Sequence, residues 1–172
     1  SAHIAWGLNN GEVDIYDFNT LKKLHSITSL NAHGKRQVTG QTGNWIQCMA
    51  YSPSGHVLAV GTHGAAILLL DVRHNYEVKG IIKSHNSFIT NIDWSVDGKF
   101  LQSNCGAFEL LFHSVDEAKL DHCKQVTEVE NVKDIKWAQE TILFSWATQG
   151  MFGPGEDSNS VHTVRRNSSS IV

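Results

Sequence analysis

Hydrophobic and polar residues alternate with a period of two along several short stretches of the chain. Glu12–Phe18 is one such stretch, and its pattern is typical of a strand with one face in a core. Ile67–Leu70 is instead a continuous apolar run, which indicates a strand buried on both faces. Turn residues such as Asn9–Gly11 and Asp97–Gly98 separate the strands. Few positions favour helix, so the chain is predicted to be all-β.

One strand–turn–strand pattern occurs more than once. Tyr51–Gly61 holds a Ser-x-x-Gly turn between two strands, and the same arrangement returns about 43 residues later at Trp94–Asn104. A partial third copy is present where Ile4–Phe18 matches Leu58–Val72. A period of about 40 to 45 residues is typical of the blades of a β-propeller. The repeat therefore predicts a binding scaffold.

The repeat divides the chain into blade-like units of one propeller domain that covers residues 1–172. We expect a partial propeller with three to four four-stranded antiparallel blades. The units span about 1–28, 46–83, 84–130 and 132–172. In the last unit Asp134–Trp137 matches Asn91–Trp94 and indicates a new first strand, but no Ser-x-x-Gly turn follows it.

An incomplete propeller has a physical consequence for association. Propellers typically close with about 4–8 blades. With three to four blades, strand edges and blade faces stay open, and such edges pair readily with other chains. We therefore expect the fragment to associate with itself through open blade edges.

The tryptophans can be placed by strand position. In the predicted strand Phe88–Ser95, the side chains of Phe88, Thr90, Ile92 and Trp94 are expected on one face, which puts Trp94 in the core. Trp6 lies on a predicted second strand and is likewise expected in the core. Trp45 follows Gly43 and Asn44, so it is the tryptophan expected at the surface and a candidate partner contact.

The units depart from the pattern of WD40 repeats, which end their third strand with Trp-Asp and link that Trp to His, Ser or Thr, and Asp. The third strands here end with Tyr16-Asp17, Leu70-Asp71 and His113-Ser114. In the third unit Ser84-His85 approximates the Gly-His of the pattern, Ser103 occupies the second-strand position and Ala107 the Asp position. No unit keeps the network, so we interpret the units as divergent WD40-type blades. His85 and Ser103 are assigned structural roles at the blade loops.

Several segments resemble the echinoderm microtubule-associated-protein-like family, and the similarity extends over most of residues 46–166. The segments are His85–Val96, Phe100–Gly106, Phe108–Phe112, Val132–Ala138 and Gly150–Gly155. The resemblance implies part of that family's paired-propeller region, with the repeat register broken after residue 130. It also implies protein partners, tubulin and microtubules, and a non-catalytic cytoskeletal scaffold in the cytoplasm. The alternative is a generic WD40-repeat adaptor for other protein partners, because the fold alone does not fix the function.

Charge and hydropathy narrow the partner classes. The net charge is −3 and no basic stripe occurs, so nucleic acid is not expected as a partner. No apolar run reaches the roughly 18 residues needed to cross a bilayer, so no membrane partner is expected. Three cysteines without a CxxC spacing predict free thiols in a reducing, cytoplasmic compartment.

Candidate chemistry is sparse. No nucleophile elbow, phosphate loop or EF-hand string occurs, so we predict that the chain is not an enzyme and has no catalytic residues and no cofactor. The densest group of potential metal ligands is His113, His122 and Cys123 with Cys105, and its spacing matches no zinc pattern. No metal site is therefore predicted.

Three further residues are candidates for interaction or regulation. Lys35 and Arg36 lie in a polar loop, where they could contact an acidic tubulin tail. Ser168 follows Arg165 and Arg166 and resembles a basic-directed kinase site. A phosphate at Ser168 would add up to about two negative charges beside the two arginines.

Overall fold

The computed structural model describes residues 2–27, 45–142 and 145. These residues form eleven strands and three single-turn 3₁₀ helices, Val72–His74, Leu120–His122 and Val129–Asn131. The strands are β1 His3–Gly7, β2 Val13–Asp17, β3 Lys23–Ile27, β4 Ile46–Tyr51, β5 Val57–Thr62, β6 Ile67–Asp71, β7 Glu77–Ile82, β8 Ile89–Trp94, β9 Phe100–Cys105, β10 Leu110–Ser114 and β11 Lys124–Val126. None of the helices in this part of the chain is long and apolar enough to cross a membrane. The all-β prediction is confirmed.

The strands form three antiparallel sheets, each ordered as in the sequence. Blade one is β1-β2-β3, blade two is β4-β5-β6-β7, and blade three is β8-β9-β10-β11. Each strand pairs with the next one along the chain, which is the up-and-down topology of a propeller blade. Blades two and three have the four strands that the repeat predicted, whereas blade one has three within the described residues.

The repeated Ser-x-x-Gly sequence forms the same turn in both blades. The Gly55 N–H donates to the Ser52 carbonyl at 2.8 Å, and Ser52 Oγ accepts from the Val57 N–H at 3.2 Å. In blade three the Gly98 N–H donates to the Ser95 carbonyl at 2.9 Å, and Ser95 Oγ accepts from Phe100 at 2.9 Å. The two glycines have φ values of 74° and 70°, which glycine adopts at little cost. Turn chemistry therefore accounts for the repeat.

Blade two is buried on both faces. Along β5 and β6, successive side chains alternate between two apolar clusters. One set of alternate side chains packs against Ile92, Trp94 and Leu101 of blade three, and its members are Val57, Ala59, Ile67 and Leu69. The intervening residues pack against Val13 and Ile15 of blade one, and they are Leu58, Val60, Leu68 and Leu70. The continuous apolar run Ile67–Leu70 is thus explained by a sheet between two neighbours.

A bulge changes the predicted faces of β8. The β8–β9 register shifts between Ile89 and Asn91, so Thr90 has no counterpart on β9. As a result Ile89 joins Ile92 and Trp94 in one buried cluster, although strict alternation put it on the opposite face. The buried position of Trp94 is confirmed, and its indole Nε1–H donates to the Ala50 carbonyl at 3.0 Å.

The prediction that Trp6 lies in the core is wrong. Ala5 faces blade two, so its neighbour Trp6 lies on the opposite face of blade one and is 63% exposed. Trp6 pairs across the sheet with Asp14, whose carboxylate contacts Lys23 at 2.7 Å and Ser26 at 2.6 Å. Sequence position identified the strand but not which of its faces meets a neighbouring blade.

Residues 132–142 lie against blade three. Trp137 forms an isolated bridge with Ser95, and the Ala138 N–H donates to the Trp94 carbonyl at 2.7 Å. Val132 and Ile142 are buried. Asp134–Trp137, predicted as a new first strand, forms no longer ladder within the described residues. Most of the predicted unit 132–172 lies outside the described residues, so that unit stays a prediction.

Candidate functional site

In blades two and three, the segment before the first strand lies beside the turn between the second and third strands, at one end of the sheet. The His63 N–H, after β5, donates to the Trp45 carbonyl, before β4, at 2.9 Å. In blade three the Gly106 N–H donates to the Phe88 carbonyl at 2.9 Å. We call the surface formed by residues 45, 63–66, 84–88 and 106–109 the loop face. Loops on a rigid sheet scaffold are where propellers and other folds commonly carry binding residues.

A row of three rings crosses the loop face from blade two to blade three. The Trp45 and His63 ring centroids are 5.1 Å apart with planes tilted by 46°. His63 and Phe88 are stacked, with centroids 4.8 Å apart and planes only 2° from parallel. Trp45 is 49% exposed at the outer end of the row. The row presents a rigid aromatic surface, which suits an anchor in a partner interface.

Phe108 extends the aromatic character of this surface. It lies in the β9–β10 turn with φ of 61°, and it is 71% exposed. A bulky residue in the left-handed region is strained, so the surrounding turn must hold it there. The Phe108 N–H donates to the Cys105 carbonyl at 3.0 Å, which is one such restraint.

A hydrogen-bonded network supports the turn from below. His85 Nε2 lies 2.7 Å from Ser103 Oγ, and His85 Nδ1 lies 3.3 Å from Glu109 Oε2. The Asn86 backbone N–H donates to Glu109 Oε2 at 3.0 Å, and the Asn86 side-chain amide donates to Oε1 of the same carboxylate. The Cys105 thiol donates to Glu109 Oε2 at 3.1 Å. One carboxylate thus ties together the loop before β8 and the β9–β10 turn.

The network fixes the charge of its members. Hydrogen bonds from the Asn86 backbone and side chain, followed by that from Cys105, lower the pKa of Glu109 to about 2, so it is a carboxylate at neutral pH. Burial lowers the pKa of His85, and Glu109 opposes that shift. His113 lies nearby, with its Nε2 3.0 Å from Ser84 Oγ. Burial, and to a smaller extent the electrostatic effect of His85, lower the pKa of His113 to about 4.

Glu109 is the residue that sequence reasoning missed. The WD40 pattern places an Asp at position 107, which here is Ala107, so the network was expected to be lost. The longer Glu109 side chain, two residues later, reaches His85 instead. The row of His63 and Phe88 was also missed, because these residues lie in different blades and share no sequence pattern.

The other predicted site residues fall in three places. His85 and Ser103 are brought together in the network below the loop face. Trp45 lies at the surface of that face, as expected, while its role as a partner contact stays a prediction. Lys35, Arg36 and Ser168 lie outside the described residues. The group of His113, His122, Cys123 and Cys105 is not assembled: the Cys123 thiol donates to the Leu120 carbonyl, and His122 lies beside Asp121.

A groove of about 760 Å³ lies between blades two and three at the end of the sheets opposite the loop face. Glu117 connects the two blades at the wall of this groove. Its carboxylate accepts a hydrogen bond from Ser54 Oγ at 2.5 Å, and its backbone carbonyl accepts one from Arg73 at 3.0 Å. Asp97 and Asp116 also line it. These acidic groups bond to neighbouring turns, so the groove is built chiefly as an interblade contact.

The arrangement below the loop face is suited to holding a turn. The Cys105 thiol is buried and bonds directly to a carboxylate, and the imidazole bonds to Ser103. A nucleophile would need its sulfur or oxygen open to substrate and bonded to the base. The exposed aromatic row above the network offers contact area for a partner protein.

Comparisons with known proteins agree with this architecture. The family model of the echinoderm microtubule-associated protein second beta-propeller matches residues 1–172. The ciliary WD repeat-containing protein ctxp80 of Euplotoides octocarinatus is 35% identical over 169 residues, which are 98% of this chain and 22% of that protein. Echinoderm microtubule-associated protein-like 1 of Homo sapiens is 33% identical over 166 residues, which are 95% of this chain and 18% of that protein.

Solved structures support the fold. The crystal structure of the Myceliophteria thermophila Cps50 (Swd1) beta-propeller domain superposes with a TM-score of 0.57 over 78% of this chain and 40% of that one, at 16% identity. At that identity the likeness concerns the fold alone. The prediction of a partial WD40-type β-propeller is confirmed. The chain spans about a fifth of the length of the curated relatives named above.

Proposed function

Because the chain belongs to the echinoderm microtubule-associated protein family, we propose that it is a non-catalytic propeller segment of a cytoskeletal scaffold that binds tubulin or microtubules. The family match over residues 1–172 is the observation that carries the proposal. WD repeats, a β-propeller and association with microtubules are properties of the family. The proposed part is that this chain itself binds, that it is located at the cytoskeleton in the cytoplasm, and that a particular surface makes the contact.

The loop face is the surface that we assign to this contact. Trp45 is half exposed, and its ring is held by His63, which is itself stacked on Phe88. Such a pre-ordered ring loses little conformational entropy on binding, which favours affinity. Tryptophans are enriched among residues whose removal costs a complex about 2 kcal/mol or more.

A matched pair of tryptophan variants tests the assignment. Trp45→Ala removes the exposed end of the row, and Trp6→Ala removes a tryptophan on another surface that is at least as exposed. In co-sedimentation with polymerised tubulin, we expect Trp45→Ala to weaken binding roughly tenfold or more, as for a hot-spot residue. Trp6→Ala should bind like the parent chain. Equal binding by both variants would remove the loop face from the proposal, and absence of binding by the parent chain would remove the proposal itself.

Lys35 and Arg36 supply the second part of the proposed contact. We propose that they meet acidic residues of tubulin, so binding should weaken as salt rises. The double variant Lys35→Glu with Arg36→Glu should lower co-sedimentation and reduce its salt dependence. Lys133→Glu with Lys136→Glu makes the same charge change at two exposed lysines in the segment that lies against blade three and is the control. If the two double variants behave alike, net charge and not this patch governs binding.

The proposed family function and a generic adaptor role predict different partners. A pull-down with purified soluble tubulin, run beside one with a whole-cell lysate, separates them. Capture of purified tubulin supports the family function. Repeated capture of other proteins from the lysate, with no retention of purified tubulin, would favour the adaptor.

Self-association through open blade surfaces is a separate proposal. The exposed face of blade one carries Trp6 beside Asp14 and Lys23, and Leu24 is also exposed in this blade. Size-exclusion chromatography with light scattering should show a concentration-dependent dimer that Leu24→Ala weakens. A clean monomer at high concentration would overturn the proposal.

Phosphorylation at Ser168 is proposed as a regulatory event. Its phosphate would pair with Arg165 and Arg166 and cancel their positive charge. A basic-directed kinase should label the parent chain and not Ser168→Ala. Labelling that is unchanged in Ser168→Ala would place the modification elsewhere.

A further inference from the structure

Three potential metal ligands converge below the loop face, from three separate parts of blade three. His85 comes from the loop before β8, Cys105 ends β9, and Glu109 precedes β10. One imidazole nitrogen of His85, Cys105 Sγ and one Glu109 carboxylate oxygen all lie within 4.8 Å of one another. Among the residues that the structure describes, this is the set of three or more such groups close enough to share one ion. We propose that these residues form a binding site for Zn²⁺ or a similar divalent transition-metal ion.

The separations between the ligand atoms suit tetrahedral coordination of an ion, provided that the three atoms move slightly closer together. Bonds of about 2.0–2.3 Å to nitrogen, oxygen and sulfur at tetrahedral angles put neighbouring ligand atoms about 3.3–3.6 Å apart. Here Glu109 Oε2 is 3.3 Å from His85 Nδ1 and 3.1 Å from Cys105 Sγ. Two of the three ligand pairs are therefore already at about the required spacing, and the third pair lies within 4.8 Å.

The donor set favours a borderline-soft ion. Imidazole nitrogen, thiolate sulfur and carboxylate oxygen together are typical of zinc sites, whereas calcium and magnesium prefer oxygen alone. Three protein ligands leave a fourth position for water or for a side chain of a partner. Glu109 is the ligand on the solvent side, since its side chain is 26% exposed and that of His85 is 1% exposed.

The surroundings hold the ligands in orientations that an ion can use. In the metal-bound form the ring proton lies on Nε2, which is 2.7 Å from Ser103 Oγ and donates to it, so Nδ1 is free to bind the ion. Such a hydrogen bond to the second ring nitrogen is a regular feature of metal-binding histidines. The Ala107 N–H donates to Cys105 Sγ at 3.4 Å, which stabilises a thiolate. Asn86 holds the carboxylate in place.

Binding balances charge without redox chemistry. The ion forms bonds to Nδ1, Sγ and Oε2, and the Cys105 thiol proton, which is donated to Glu109 Oε2 in the metal-free protein, leaves to solvent. Thiolate and carboxylate then carry two negative charges against the two positive charges of the ion. A neutral centre avoids the cost of a net charge in a largely buried position.

The spacing explains why the site has no sequence signature. Cys105 and Glu109 are four residues apart, and His85 lies twenty residues before Cys105. Structural zinc sites are usually recognised by two close Cys or His pairs. Here the β8–β9 and β9–β10 hairpins bring the ligands together.

The test uses the chain with Cys48→Ser and Cys123→Ser, in which Cys105 is the remaining thiol. Titration with Co²⁺ should produce a sulfur-to-cobalt charge-transfer band that saturates at one ion per chain, and Zn²⁺ should displace it. Added Cys105→Ser should abolish the band. Added Ser103→Ala should weaken affinity about 10–100-fold, as expected for the residue that orients the imidazole. Added His122→Ala, at an exposed histidine, should change neither.

Three results would overturn the proposal. One is no charge-transfer band with the native chain at millimolar Co²⁺. Another is a band that persists in guanidinium, since the site needs folded hairpins to assemble it. The third is calorimetric binding of Zn²⁺ without a thiolate band, which would show binding by surface histidines.

Discussion

Blades two and three share a sheet topology but bury different kinds of groups. In blade two, every residue of β5 and β6 is buried, and all except the last residue of each strand, Thr62 and Asp71, are apolar or glycine. In blade three, the face towards blade two is chiefly apolar, while the opposite face and the upper end hold buried polar side chains. These are His85, Asp93, Gln102, Ser103, Asn104 and His113. One blade is therefore stabilised by packing on two sides, and the other by packing on one side and hydrogen bonds on the other.

The difference follows from what covers each face. Blade two lies between two sheets, and sheet-on-sheet packing requires only apolar surface of matching shape. Residues 137–142 lie against blade three, and beyond the bridge at Trp137 and Ala138 the segment is irregular, so the N–H groups of Thr141 and Ile142 need side-chain acceptors. Asp93 satisfies these groups by accepting from the Thr141 N–H at 3.1 Å, the Thr141 hydroxyl at 2.7 Å and the Ile142 N–H at 3.2 Å. A polar contact of this kind fixes position and direction, which apolar burial does not.

The largest loss of stability is expected at the contact between the two blades. Trp94 is fully buried against Val57 and Leu69, and its indole also bonds to Ala50. Trp94→Ala should lower the free energy of unfolding by about 3–5 kcal/mol, as for other large-to-small changes in cores. Urea unfolding measures this loss. Trp94→Phe keeps most of the volume and should cost less, and an equal cost for both variants would mean that the indole hydrogen bond dominates the contact.

A smaller and more local loss is expected on the far face of blade three. Asp93→Ala leaves the Thr141 and Ile142 N–H groups and the Gln102 amide without their acceptor, which should cost about 1–3 kcal/mol. Hydrogen exchange should quicken at residues 141 and 142 and stay unchanged in β5 and β6. Thr141→Val removes only the hydroxyl bond and is the milder control. Equal acceleration in both blades would show that the two unfold as one unit.

The sequence predicted the strands of both blades because turn chemistry and strand periodicity are local. The Ser52 and Ser95 turns set the repeat, and the run Ile67–Leu70 predicted burial on both faces. Three features depend on contacts that the pattern does not contain. The bulge at Thr90 breaks the alternation, Trp6 lies on the face away from blade two, and Glu109 substitutes for the missing acid at Ala107. Each is decided by a partner distant along the chain or by chain geometry.

A modest effect is expected where the apolar face of blade two meets polar groups. Tyr51 Oη lies 3.1 Å from Tyr76 Oη, which is 2.6 Å from His3 Nδ1 in blade one. Tyr51→Phe should cost about 0.5–1.5 kcal/mol, the usual net value of one hydrogen bond, because Tyr76 keeps its contact with His3. Thermal unfolding of the two proteins measures it. A loss as large as that of Trp94→Ala would contradict the view that packing dominates this interface.

The smallest effect concerns the ends of the third strands, where blade two has Asp71 and blade three has Ser114. Burial alone would raise the pKa of Asp71, but hydrogen bonds from Arg73 and His74 outweigh it and lower the pKa to about 2. A carboxyl with a depressed pKa in the folded state stabilises the fold above its ordinary value of 3.8, and this contribution is lost as the pH falls towards 2. Urea unfolding between pH 6 and 2 should therefore show a shallower decline for Asp71→Asn than for the parent chain. Ser114→Ala changes the equivalent position in blade three, where the hydroxyl donates to the Lys124 carbonyl at 3.3 Å and carries no charge. It should leave the pH dependence unchanged, and a shift equal to that of Asp71→Asn would contradict the assignment of acid sensitivity to blade two.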